Sequence, residues 1–143
     1  MLSNTCKYAI RAVVYISVYS NREKKIGIKE IAEKLDIPSP FLSKILQSLA
    51  KKKILNSTKG PHGGFNLLRN AEDISLMEIV ELIDGTDIFE SCLIRTAKCS
   101  DEKPCGLHDS VTALRSELKQ FFINQTIQDL GSEFKRDSGR ISI

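Results

Sequence analysis

The chain has 143 residues, enough for one domain with a real core and too few for two, and its 41% hydrophobic and 27% charged residues are the balance of a soluble globular protein. No run approaches the roughly 20 apolar residues that a membrane span requires. Four cysteines are too few and too clustered for a secreted disulfide scaffold, so the thiols read as reduced and the chain as cytoplasmic.

The net charge of +3 hides an asymmetry. Residues 1–70 hold 13 Lys or Arg against 4 Asp or Glu, net +9, whereas residues 71–143 hold 8 against 14, net −6. An anionic partner for the N-terminal half is the expectation.

In chain order, Tyr8, Ala9, Ala12, Val13 and Ile16 recur at helical spacing and predict an amphipathic helix over residues 5–20, with Ser3, Asn4 or Thr5 as its cap. Lys7 before an apolar run superficially suggests a signal peptide. Arg11 interrupts that run and no small-residue cleavage site follows, so the segment reads as a core helix. Ile28, Ile31, Ala32 and Leu35 mark a short second helix that ends near Asp36-Ile37-Pro38. Ser39 stands as N-cap of a third helix with Pro40 at its first position, and Phe41, Leu42, Ile45, Leu46 and Leu49 form its apolar side.

Two apolar runs, Ile54-Leu55 and Phe65 to Leu68, flank a connection with three glycines and a proline, which predicts a β-hairpin with an extended tip. Ser75 and Glu78 form a capping box ahead of Leu76, Ile79, Val80 and Ile83, and Asp84-Gly85 ends that helix. From about His108 a long helix carries a seam of Val111, Leu114, Leu118 and Phe121, and Thr126 caps one further turn through Leu130. Residues 131–143 are polar and charged and are expected to form a disordered tail.

Between those last two helices lie Cys92, Cys99, Cys105 and His108, spaced Cys-x6-Cys-x5-Cys-x2-His among Lys98, Asp101, Glu102 and Lys103. Thiolates and imidazole are the donors that soft and borderline metals or iron-sulfur clusters select, and a polar loop can wrap them round one centre. The bland alternative is three solvent-facing thiols. Cys6, beside Lys7, reads as a semi-buried residue outside that loop, and His62 as a polar contact rather than a ligand.

Helix, short helix, turn, capped helix and glycine-tipped hairpin make a winged helix-turn-helix, a mainly α fold with a small β wing. In that arrangement the third helix enters the major groove, so Ser39, Pro40, Ser43, Lys44 and Gln47, with Phe41 at the helix start, are the candidates to meet DNA. In the wing, Lys59, Gly60, Pro61, His62, Gly63 and Gly64 are a second candidate set: Lys59 supplies charge, and glycines let backbone N–H groups approach phosphates or the minor-groove floor.

The segment Ile37 to Leu46, the wing Lys59 to Phe65 and the cysteine loop before a long helix together resemble the IscR/NsrR-type, or Rrf-two, family of bacterial transcription factors, over residues 1–130. The resemblance implies a homodimer that binds double-stranded DNA at a pseudo-palindromic operator and senses iron-sulfur, redox or nitric oxide status through a 2Fe-2S or 4Fe-4S cluster. It divides the chain into a DNA-binding domain (1–85), a cluster-binding loop (86–108), a dimerisation helix (109–130) and a tail (131–143). His108, three residues after the last cysteine, matches the fourth ligand of the cluster regulators, and Lys7 stands where nitric oxide sensors recruit an acidic residue. Two positions depart from the pattern: the first inter-cysteine gap is one residue longer, and Ser43 replaces an acidic base-reading residue found in some members.

Three other readings remain on the sequence alone. Zinc in the same four ligands would be structural; a helix-turn-helix can serve protein interaction; and a thiol redox enzyme finds no support in a Cys-x-x-Cys on a strand-to-helix turn, nor does any Ser-His-Asp or paired-carboxylate constellation point to other catalysis. No small-molecule substrate, membrane partner or catalytic residue is implied.

Overall fold

Helix α1 (Asn4–Tyr19) is the element on which the others pack, because Cys6, Ala9, Ala12, Val13 and Ile16 give it a continuous buried stripe. Ser3 caps it, accepting from the Cys6 N–H at 3.0 Å, and also binds the Asp84 carboxylate through its own N–H at 2.8 Å. The start of the chain is thereby tied to the end of a helix 81 residues away. The computed structural model describes residues 1–136.

Helices α2 (Ile28–Leu35) and α3 (Ser39–Lys51) meet across a turn in which Asp36 adopts a left-handed conformation, φ 53°. The Ile37 N–H returns to the Ala32 carbonyl at 3.0 Å and satisfies the end of α2. The cap of α3 is Pro38 rather than Ser39, whose hydroxyl makes no capping bond, and Pro40 falls one position later than the sequence suggested. Either position in the first turn tolerates a missing N–H.

Strands β1 (Leu55–Thr58) and β2 (Gly64–Leu67) pair antiparallel, Leu55 opposite Leu67 and Thr58 opposite Gly64. Ile26 adds a third edge by exchanging backbone bonds with Phe65 at 2.9 and 2.8 Å. A 3-10 turn at Ala71–Asp73 then leads to α4 (Leu76–Ile83), whose cap Ser75 accepts from the Glu78 N–H at 3.2 Å, as the capping box predicted. The Glu78 carboxylate turns instead to Arg69.

A short helix α5 (Asp87–Glu90) precedes the cysteine loop, and the long helix α6 (His108–Asn124) follows it. The disordered tail expected from Gly131 is corrected for residues 131–136, which continue helix α7 (Ile127–Arg136); residues 137–143 lie outside the described residues. The cause is a stripe of Ile127, Leu130, Gly131 and Phe134 that packs on α1, with Gly131 so close that an added Cβ would lie 3.3 Å from Ser17 Oγ. Thr126 and Asp129 form a capping box at 2.9 and 3.2 Å, and the Thr126 N–H and hydroxyl, both donating to the Asp129 carboxylate, hold that carboxyl below its ordinary pKa. Backbone bonds Leu76 to Gln125 (2.8 Å) and Ile127 to Ile74 (2.9 Å) clamp the α6–α7 corner to the start of α4. Among the described residues no helix is long and apolar enough to cross a membrane.

Candidate nucleic-acid interface and cysteine loop

The buried face of α3 is Leu42, Ile45, Leu46 and Leu49, which leaves Ser39, Pro40, Lys44 and Gln47 exposed on its outer side. Ser43 is half-buried, and its hydroxyl accepts from Gln47 Nε2 at 3.3 Å, so these two side chains are presented as a unit. Phe41 is not a core residue: it remains exposed, with its ring edge-on to Tyr8 of α1 at 5.7 Å.

In the wing, Lys59, Gly60, Pro61 and His62 are exposed, and Gly60 takes φ 107°, which only glycine adopts freely. Gly63 and Gly64 are in addition required by the packing of the hairpin itself. A Cβ on Gly63 would stand 2.2 Å from the Thr58 carbonyl oxygen, and one on Gly64 would stand 2.6 Å from that of Ile26. Both glycines let the chain approach itself. Two cations escaped the sequence reading: Lys25, which donates to Thr58 Oγ1 at the base of the wing, and Arg11, which donates from α1 to the Leu35 carbonyl at 3.0 Å. Arg11 had registered only as a break in an apolar run.

The cysteine loop is folded by short backbone links. Ser91 bridges Lys98, the Cys92 N–H donates to Ala97 at 2.8 Å, the Cys99 N–H donates to Glu90 at 2.7 Å, and a Glu90–Lys98 ion pair closes the same small hairpin. Arg115 of α6 donates to the Ser91 carbonyl and pins the loop to the helix.

These links sort the four expected ligands into two pairs. Cys92 Sγ lies 3.9 Å from Cys105 Sγ, and Cys99 Sγ lies 3.2 Å from His108 Nδ1. On the far side of the imidazole, Nε2 is 2.9 Å from Asp101 Oδ1. A proton on Nε2 satisfies that carboxylate and turns the Nδ1 lone pair toward Cys99, the orientation a second carboxylate commonly imposes on a metal-binding histidine. Among the described residues no three Cys, His, Asp or Glu side chains converge on a single point.

Backbone N–H groups of Ile94 and Arg95 hold the Cys92 thiol down to about 7. Cys99 and His108 also line a cavity of about 490 Å³ between the loop and α6, with Lys98, Asp101 and Arg115 on its walls. Cys6 is fully buried rather than semi-buried, and burial, then the charge of Asp84, pushes its thiol up to about 12.

On α6 only Phe122 is buried, against Phe89 at 5.9 Å, whereas Leu114 is 66% and Phe121 54% exposed. Of the seam read from the sequence, Leu114 and Phe121 are thus left uncovered by the described residues, whereas Val111 and Leu118 are half-buried and Leu118 packs against the core.

A helix-turn-helix with a glycine-built wing and a polar cysteine loop ahead of a long helix defines a winged-helix transcriptional regulator. Residues 2–133 match the Rrf2 family, described as iron-dependent transcriptional regulators, and the chain belongs to that family. It is 36% identical over 132 residues to an HTH-type transcriptional regulator of Aquifex aeolicus, covering 91% of this chain and 90% of that one. It is 25% identical over 129 residues to the HTH-type transcriptional regulator IscR of Pectobacterium atrosepticum, covering 90% and 77%.

The fold is shared with CymR, the global cysteine regulator of B. subtilis, at a TM-score of 0.76 and 19% identity, covering 93% and 97% of the two chains. T. potens IscR has a TM-score of 0.70 at 20% identity, covering 93% and 87%. These relatives are transcriptional regulators, not enzymes, and so is this chain.

Proposed function

We propose that this regulator acts as a homodimer that binds a pseudo-palindromic operator through α3 and the wing, under control of an iron-sulfur cluster held by Cys92, Cys99, Cys105 and His108. The observation that carries the reading is the division of the four donors into two pairs, 3.9 Å and 3.2 Å apart, within one loop. A 2Fe-2S cluster takes two protein donors at each of its two irons, whereas structural zinc wants four donors round one ion. The paired arrangement favours the two-iron cluster over both zinc and 4Fe-4S. Bound there, a cluster supplies a centre sensitive to oxidants, nitric oxide and iron supply.

The chain's own part is to orient those donors and transmit their order. Asp101 fixes the His108 ring, Arg115 holds the loop on α6, and the α6–α7 corner is clamped to α4, which packs on α1. A second copy of the chain suits the exposed seam of Leu114 and Phe121. Dimeric recognition helices must reach half-sites about 34–36 Å apart, so a shift in the angle of α6 changes the fit to DNA.

The test is anaerobic reconstitution with iron and sulfide. A visible chromophore with two irons and two sulfides per chain is expected, and Cys92→Ala, Cys99→Ala and Cys105→Ala are each expected to lose it. A colourless wild type after reconstitution, or zinc retained at one per chain, overturns the reading. Operator affinity is then compared between the loaded and metal-free dimer, and equal affinities overturn the control function.

A further inference from the structure

The geometry points to Cys92 and Cys105 as a disulfide-forming pair in the metal-free loop, a redox lock that removes two of the four donors and keeps the loop from being reloaded. The lock rests on the proposed ligand set; the disulfide itself rests on the loop's geometry.

The two sulfurs lie 3.9 Å apart in a half-exposed segment where none of the three loop cysteines is already bridged. A disulfide needs the sulfurs at about 2.05 Å, and a contraction of roughly 2 Å is within reach of a surface loop held by a few backbone bonds. The third thiol is directed elsewhere, because Cys99 faces His108 and its N–H is engaged by Glu90 on the opposite limb of the small hairpin. The residues between the pair include Ser100, Asp101 and Lys103, which carry no buried apolar surface to resist the closure. The cross-link spans 13 positions, a ring long enough to close without strain from the backbone.

The oxidant is a hydroperoxide. The Cys92 sulfur, as thiolate, attacks the terminal peroxide oxygen. The O–O bond breaks, the alkoxide or hydroxide leaves and takes up a proton, and Cys92 becomes a sulfenic acid. The Cys105 sulfur then attacks Cys92 Sγ, the S–O bond breaks, and the hydroxyl departs as water with the Cys105 proton. Two thiols have lost two electrons and one peroxide has gained them. What remains in the loop is Cys99 and His108, two donors, too few for a cluster.

The experiment uses the full metal-free chain, prepared anaerobically and treated with one equivalent of hydrogen peroxide. Thiols counted in denaturant fall from four to two per chain, with the cross-link mapped by mass spectrometry. Trypsin alone does not separate Cys99 from Cys105, since Lys103 precedes Pro104, so cleavage after Glu102 is added. The expected cross-link joins the Cys92 and Cys105 peptides with Cys99 free, and Cys105→Ser accumulates a Cys92 sulfenic acid that dimedone traps. A dominant link through Cys99, a link between chains, or four unreacted thiols overturns the pair.

The same samples are then offered iron and sulfide. The oxidised protein loads at least tenfold less cluster than the reduced protein, and dithiothreitol restores it; equal loading overturns the lock. A reduced protein that takes no iron overturns the cluster reading and the lock together, while the thiol count decides the disulfide on its own.

Discussion

Arg11 on α1 reaches across to the end of α2, its guanidinium donating to the Leu35 carbonyl at 3.0 Å. That carbonyl is one of the unpaired groups that every helix leaves at its C-terminus, and a cation there also opposes the negative end of the helix dipole. The contact fixes the corner where α2 turns into α3. Arg11 Nε is buried without a hydrogen-bond partner among the described residues, so the side chain holds this position at some cost to itself.

Arg11→Met retains the aliphatic stem and removes the donor, and it is expected to lower stability by about 1–2 kcal/mol. Arg11→Lys recovers part of that loss, being a point charge without the planar fork. Denaturant midpoints decide the matter: a Met variant as stable as wild type rules out the capping role.

The wing glycines divide into two kinds. Gly60→Ala meets open space and strains only a φ of 107°, so a loss of about 1–2 kcal/mol is expected. Gly64→Ala also drives a Cβ to 2.6 Å from the Ile26 carbonyl oxygen, and it is expected to cost more and to detach Ile26 from the hairpin. Amide exchange at Ile26 and Phe65 reports that detachment directly, and protection unchanged in Gly64→Ala would contradict it.

The helix-turn-helix and the hairpin were legible because each is written in local chemistry: the Ile31, Leu35, Leu42, Ile45 and Leu49 spacing, the Ser75–Glu78 box, the glycine run of the tip. The roles of Gly63 and Gly64 were not, since they depend on Ile26 and Thr58 approaching from elsewhere in the chain. Helix α7 hid for a different reason. Its stripe of Ile127, Leu130, Gly131 and Phe134 has helical spacing, but a glycine and several charges masked it until α1 supplied the surface it covers. In the loop, the sequence named four candidate donors and the fold added their proximity in pairs and Asp101, which no spacing rule could connect to His108.

Cys6 sets a pH limit on the fold. Its thiol stays protonated in the native state up to about 12, against an ordinary 9.0, and Tyr15 is pushed from 10.0 to about 12 by burial and its bond to Glu30. Above pH 9 the unfolded chain releases the Cys6 proton while the native chain keeps it. Stability from this source is complete below pH 9 and is lost as pH rises toward 12. Denaturant midpoints measured from pH 8 to 11 are expected to fall, with a shallower fall in Cys6→Ala. Native Cys6 is also expected to resist alkylating reagents until the chain unfolds.

Lys44 on α3 and Lys59 at the wing tip are exposed and form no ion pair among the described residues. If both neutralise phosphates in the proposed complex, each lysine releases counterions that the free duplex had condensed, and affinity falls with salt at a log-log slope of about −0.9 per contact. Lys44→Ala and Lys59→Ala are each expected to weaken binding and to make that slope shallower by about 0.9, with the double variant losing about twice as much. A base-reading role differs in kind: Gln47→Ala lowers preference for the operator over random DNA and leaves the slope unchanged. Fluorescence anisotropy of a labelled duplex across a salt series separates the two behaviours. A slope identical to wild type in the double lysine variant would place the DNA away from both α3 and the wing.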